Sequence, residues 1–534
     1  MANKIFALVA IFLNATVALT QNDKDAMQYS QTSFYGDARF MSMGGAFGSL
    51  GANVSCINFN PAGIAMYRKG ELVFTPGFKF QGENATHYGN SSSDFSTKLN
   101  ISNIGFVAAW DQQPRTMSNN NYSPYNGDRY GPGSNQNRAP KANTASQTSN
   151  TQRWAIGIDY NRIADFNYHS TISGYVPAAN SITSSMANTA NGYSINNLNP
   201  FYEGLGAQTG AIIPYTNAQT LNYDSTGTHY AALGDYTPGM MLQQTKTIQS
   251  SGRVGELAFA LAHSFNDRFY IGGAIGVPLV KYNYQATLTE TDYKNADPLF
   301  QSLQYQENIA TSGAGINFKA GGIYRFNSGL KVGLYGQTAT YYKLTDNYQN
   351  SMSTAWDSSQ YNASSTSPAG NYTYKLHTPG HVGLSLSYVY GKLLAFSVDG
   401  EFIDYSNAKF AETSANQAAG NNSYGDVNNT IKQTYKGTAN LKAGVELNVR
   451  PMVVRLGFAS YGSPYGDVLT GKSVRNSFCG GIGFRGAHKV YLDLGFTYTV
   501  WSEKYYVIDP MYVQPSNVNY SNLYITATLG IKFN

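Results

Sequence analysis

Seven histidines, two cysteines and one glycine-rich stretch are where this sequence could carry metal, thiol or nucleotide chemistry. His377 and His381 stand four apart with Pro379 between them. In extended chain that spacing is about 13 Å, too far for one metal ion, so no metal site and no other cofactor is predicted. Ser, His and acidic residues are scattered, with no Gly-x-Ser-x-Gly and no His-Glu-x-x-His, so no catalytic residue is assigned and the chain is read as a non-enzyme. The stretch from Met43 to Ala52 has glycines at 44, 45, 48 and 51. It lacks both the Gly-x-Gly-x-x-Gly spacing and the Gly-Lys-Ser/Thr ending of a phosphate loop. Cys56 and Cys479 are too few for a disulfide-built fold, and are read as free thiols.

With no reaction to position, the elements must be explained by solvent. The 534 residues are only 13% charged, yet hold 43 Tyr and 54 Gly. That mixture suits a barrel whose outward side chains meet lipid while its inward ones meet water or a plug. No apolar run of eighteen or more follows the N-terminus, so helical spans are not expected. The net charge of +5 is spread along the chain, which excludes a nucleic-acid footprint. Residues 1–20 read as an export signal: Lys4, the apolar run Ile5 to Leu13, then Ala15 and Ala18.

From Glu71 onward the chain repeats segments with an apolar residue at every second position. Val490, Leu492, Leu494, Phe496, Tyr498 and Val500 share one face; Asp493, Thr497 and Thr499 share the other. Strands are predicted near 71–82, 100–110, 151–162, 252–265, 267–284, 312–326, 328–344, 372–390, 392–406, 431–449, 451–460, 474–486, 489–503 and 521–534. The fold class is therefore all-β: a transmembrane antiparallel barrel of about fourteen strands. Connections alternate between tight turns (Asn266-Asp267, Asn327-Ser328, Gly391, Arg450-Pro451, Gly486-Ala487-His488) and long polar loops, which places both termini in the periplasm and the loops outside. Residues 111–150 break this order as a low-complexity insert, and 167–250 is a long, poorly patterned extracellular stretch. Glu256, Lys319, Arg325, Asp399, Glu401, Lys442, Glu446, Arg455, Arg485 and Asp493 fall on inward positions.

Residues 21–70 do not alternate, and are predicted to form a hatch inside the barrel spanning 71–534. Asn60-Pro61-Ala62-Gly63 is its corner: Pro61 fixes its own φ and forces Asn60 toward extended backbone, while Asn60 can bond nearby main chain. Gly-Asp-Ala-Arg at 36–39, Met-Gly-Gly-Ala at 43–46 and Phe-Asn-Pro-Ala-Gly at 59–63 resemble the FadL/TodX-like transporters of long-chain fatty acids and aromatic hydrocarbons, a family that includes proteins described as haemin receptors. The resemblance implies a fourteen-stranded outer-membrane barrel with an N-terminal hatch carrying an Asn-Pro-Ala element.

Trp154, Ile156, Ile158 and Tyr160 alternate, then Arg162 falls on the lipid face and the apolar pattern resumes out of phase at Ile163 and Phe166, the mark of a bulge. In the resembling family a kink in the third strand opens a window to the membrane, which makes Asp159, Tyr160, Asn161, Arg162 and Asp165 the implied exit. Phe40, Met43, Phe47, Leu50 and Phe59 are the candidate contacts for a hydrophobic solute. The implied function is passive, hatch-gated transport of small hydrophobic molecules; a diffusion porin, an adhesive barrel and a haemin receptor are the alternatives. Expected partners are outer-membrane lipid, the solute and, during biogenesis, the barrel assembly machinery, with the protein acting as a monomer.

Overall fold

The computed structural model describes residues 23–31, 33–112, 152–216, 223–236, 239–294, 299–414, 424–466, 473–485 and 489–533. The predicted export signal, nearly all of the 111–150 insert and the turn at 486–488 lie outside the described residues. The rest closes into an antiparallel barrel of fourteen strands. In chain order these are β1 (Gly70–His87), β2 (Asn90–Gln112), β3 (Gln152–Asp165, continued by Tyr168–Pro177), β4 (Met241–Phe265), β5 (Phe269–Asp292), β6 (Phe300–Arg325) and β7 (Leu330–Gln337, continued by Thr340–Trp356). They are followed by β8 (Gly370–Thr378, continued by His381–Tyr390), β9 (Leu394–Asp404, with Lys409–Glu412), β10 (Gly437–Val449), β11 (Met452–Tyr461), β12 (Arg475–Arg485), β13 (Val490–Tyr505) and β14 (Ser516–Phe533). Pairing of Gly70 with Phe533 and Phe74 with Leu529 closes β1 onto β14 and removes the free edges.

The barrel is apolar outside and polar inside because lipid replaces water as its outer solvent. On β13, Val490, Leu492, Leu494 and Phe496 are exposed while Asp493 and Thr497 are buried. On β5 the exposed apolar residues run from Phe269 through Ile271 and Ile275 to Leu279. At about 3.3 Å per residue and the usual barrel tilt, that stretch spans a hydrocarbon layer of roughly 25 Å.

Strand number and order match the sequence reading; strand length does not. β5 continues to Asp292, β6 begins at Phe300 and β7 reaches Trp356, so most of the predicted loops 285–311 and 345–371 is ladder. Above the lipid layer both faces of a strand meet polar surroundings, and the period-two apolar signal ends although the hydrogen bonds go on. The stretch 167–250 is likewise ordered where described: Ile182–Ala190 and Glu203–Gln208 are helices, and Met186, Leu205 and Ile212 pack with Leu288, Leu303 and Tyr305 of the wall as a cap inside the end that carries the long connections. Arg325, expected inward, is exposed because β6 ends there.

Inside the barrel, helix α1 (Asp23–Ser30) is followed by helix α2 (Ala38–Ser42) and two short 3-10 turns, Val54–Asn58 and Pro61–Met66. Tyr435, in the β9–β10 connection, donates a 3.0 Å hydrogen bond to Asp23, whereas Phe533 is at the opposite end of the barrel beside Gly70. The described chain thus starts in the half of the lumen nearer the long connections and ends among the short turns. The N-terminus itself, expected on the same side as the C-terminus, lies outside the described residues.

Candidate functional site

The Asn-Pro-Ala corner is built from its own residue chemistry. Asn60 caps the Pro61–Met66 turn, its Oδ1 accepting from the Ala62 N–H at 3.1 Å, and its Nδ2 donates to the Gly48 carbonyl at 2.6 Å. One buried side chain therefore ties the two limbs of the hatch together. Pro61 takes the first helical position, where its missing N–H costs nothing. The Gly63 carbonyl accepts from the Ala52 N–H at 3.0 Å, closing the same corner from the other side.

Phe40, Met43, Phe47, Leu50 and Phe59 all come together, with the Phe40 ring 5.3 Å from Phe47 and 4.7 Å from Phe59. They form a packed core between hatch and wall. Close packing needs small wall residues, and the inward glycines supply them. A Cβ at Gly444 would sit 2.6 Å from the Met43 carbonyl, one at Gly333 2.5 Å from the Gly48 carbonyl, and one at Gly272 2.5 Å from Pro61. These glycines were missed in the sequence; their signal is that they occupy inward phases of β5, β7 and β10, where a water-filled lumen would not require a missing side chain.

Polar groups hold the hatch to the far wall. Arg39 makes two hydrogen bonds with Glu446, at 2.7 and 2.9 Å. Glu446 also accepts from Arg455 at 2.7 Å, Arg455 reaches Asp493 at 2.9 Å, and Arg485 joins Asp493 at 2.8 Å. The Gly48 N–H donates to Asp399 at 2.7 Å, and Lys331 caps the Leu50 carbonyl at 2.6 Å. Within the hatch, burial raises the Asp37 carboxyl above its ordinary range, against hydrogen bonds from the Phe40 N–H and Ser55 hydroxyl that favour its charge. Cys56 and Cys479 are buried free thiols, and burial pushes the Cys56 thiol up to about 12.

The near wall is different. β2 and β3 pair only from Gln112↔Gln152 to Asn103↔Asn161. Above that point residues 90–101 of β2 are paired with β1, while Tyr168–Pro177 is paired with β4. A seam without backbone ladder separates them, bridged by side chains such as Ser92 to the Thr171 carbonyl and Thr171 to Asp94. The β3–β4 register shifts between Arg162 and Ala164, a bulge that turns Arg162 inward. Instead of facing lipid, as its sequence parity suggested, Arg162 is buried and bonds Asp165 at 2.7 Å, which also accepts from Lys79 at 2.9 Å. Tyr160 keeps the outward phase. Asp159 accepts from Asn103 at 2.7 Å and from Asn58 of the hatch, and Asn161 donates to the Tyr35 carbonyl of the hatch at 2.8 Å. Behind the bulge stands an aromatic cluster that sequence reasoning did not single out: Phe166 lies 5.8 Å from Tyr29 and 5.3 Å from Tyr282. Among the described residues no group of three or more His, Cys, Asp or Glu could hold a metal ion.

A solved structure of a Pseudomonas aeruginosa FadL homologue superimposes over 94% of this chain and 99% of its own, with a TM-score of 0.50 at 11% identity. The fold is that of the FadL/TodX-like barrels. The Pseudomonas putida toluene transporter TodX aligns over 94% of this chain and 99% of its own (TM-score 0.47, 8% identity), as does the Ralstonia pickettii toluene transporter TbuX (TM-score 0.44, 11% identity). No family model and no curated protein matches the sequence.

Proposed function

We propose that this FadL-fold barrel is an outer-membrane channel that passes small hydrophobic molecules without catalysis, its hatch gating a lateral exit through the β2–β3 seam. The observation that carries this reading is the coincidence of the unpaired seam with hatch contacts: Asn58 and Tyr35 are bonded to Asp159 and Asn161, where the ladder ends. A shift of the hatch would break those bonds and free the flanks of the seam. A solute entering from the long-loop side would meet the aromatic cluster of Tyr29, Phe166 and Tyr282, with Phe95 and Leu99 exposed to lipid on β2 nearby. Phe40, Met43, Phe47, Leu50 and Phe59 would then act as the hatch's apolar bearing surface, parting from one another as the solute moves. Transfer from water to the bilayer interior drives the flux, since apolar surface leaves water.

The test is fatty-acid uptake into liposomes by the full chain and by a Ser92→Cys/Thr171→Cys variant, whose new thiols would bridge the seam while Cys56 and Cys479 stay buried. Oxidation is expected to abolish most uptake and reduction to restore it. Undiminished flux through the oxidised form would eliminate the lateral exit, and equal flux after deletion of residues 23–66 would eliminate hatch gating.

A further inference from the structure

On β4 to β9 the lumen holds charge of both signs, with Lys319 and Lys331 buried among its carboxylates, while a set of cations faces outward. On β4 to β9, Glu256, Glu290, Asp346, Asp399, Glu401 and Glu412 are all buried on the lumen side. Arg253, Lys281, Lys343 and Lys409 are exposed outward, and Lys375 is half-buried in the same outward phase. These cations are neighbours: Arg253 stands directly opposite Lys281, Lys343 opposite Lys375, and Lys409 opposite His377, two positions from Lys375. Like charges directly opposite on adjacent strands destabilise a sheet. Among the described residues none of the five cations has an ion-pair partner.

Their height is set by the apolar belt. Leu279 and Tyr341 are the last large exposed apolar residues on β5 and β7, and Lys281 and Lys343 occupy the next outward positions. The row therefore stands where hydrocarbon gives way to headgroups.

We infer that this row binds the phosphate groups of a phosphorylated glycolipid of the outer leaflet. Phosphate supplies the missing counter-charge at the height where the cations stand. The inference rests on the outer-membrane placement, with the short turns facing the periplasm, and does not depend on what the channel carries.

The full chain in nanodiscs, washed and analysed by native mass spectrometry, tests it with two probes: a bisphosphorylated disaccharide glycolipid and its dephosphorylated form. Wild type is expected to retain the phosphorylated form at least about tenfold better, and the variant Arg253→Gln/Lys281→Gln/Lys343→Gln/Lys375→Gln to lose that preference. Lys392→Gln/Lys489→Gln, on the opposite rim, should keep it. Should the fourfold variant fail to fold, Lys343→Gln alone is expected to lower retention about threefold. Equal retention of both probes by wild type overturns the inference. So does displacement by millimolar inorganic phosphate, which would mark a site for a free anion.

Discussion

The hatch meets two walls of the same barrel in two different ways. Against β10 to β13 it docks through a chain of ions, Arg39–Glu446–Arg455–Asp493–Arg485, over a continuous ladder and against glycines that admit its backbone. Against β2 and β3 it is held by Asn58, Tyr35 and Gly36 through hydrogen bonds to Asp159, Asn161 and Ser102, where the ladder stops. In the proposed gate the near side would release first, with the hatch turning on β10–β13.

The strongest way to break this comparison is Glu446→Ala. It strands Arg39 and Arg455 without their shared carboxylate, and the loss of one partner from a buried pair costs about 3–5 kcal/mol. Amide exchange across residues 37–48 should accelerate accordingly, with the barrel ladder unchanged; unaltered exchange there would remove the hinge from β10. A smaller effect is expected from Gly444→Leu, whose side chain must displace Met43: overpacking of about 1–3 kcal/mol, read as a lower midpoint for hatch release in a denaturant titration. The smallest is Asn161→Ala, which removes one hydrogen bond to the Tyr35 carbonyl, worth about 1 kcal/mol. It should loosen residues 33–37 alone while raising fatty-acid flux. If Asn161→Ala loosens the hatch as much as Glu446→Ala does, the two walls are equivalent and the proposed gate has no hinge.

The membrane explains what was readable. A lipid-facing strand must be apolar at every second residue, so Val490 to Tyr498 announced a strand and its two faces without any knowledge of contacts. The same rule failed above the bilayer, where Lys281, Asn283 and Gln285 of β5 are as regularly paired as Leu279 but carry no apolar mark. It failed again at Arg162, because a bulge inserts a residue and exchanges the faces beyond it. Parity marks that something is wrong there, and only the pairing partners say which way the side chain turns.

The Asn60-Pro61-Ala62-Gly63 corner was legible for a local reason: a proline, the residue that caps it and the turn they make are within hydrogen-bond reach along the chain. What that corner grips was not. The Gly48 carbonyl is twelve residues away, and the wall positions that receive the hatch come from strands hundreds of residues downstream. Sequence alone determined the barrel and its strand count, because solvent on each face acts residue by residue. Only the tertiary structure decided which wall residues hold the hatch and where the β2–β3 ladder stops, because those depend on which distant side chains the closed barrel brings within 3 Å of one another.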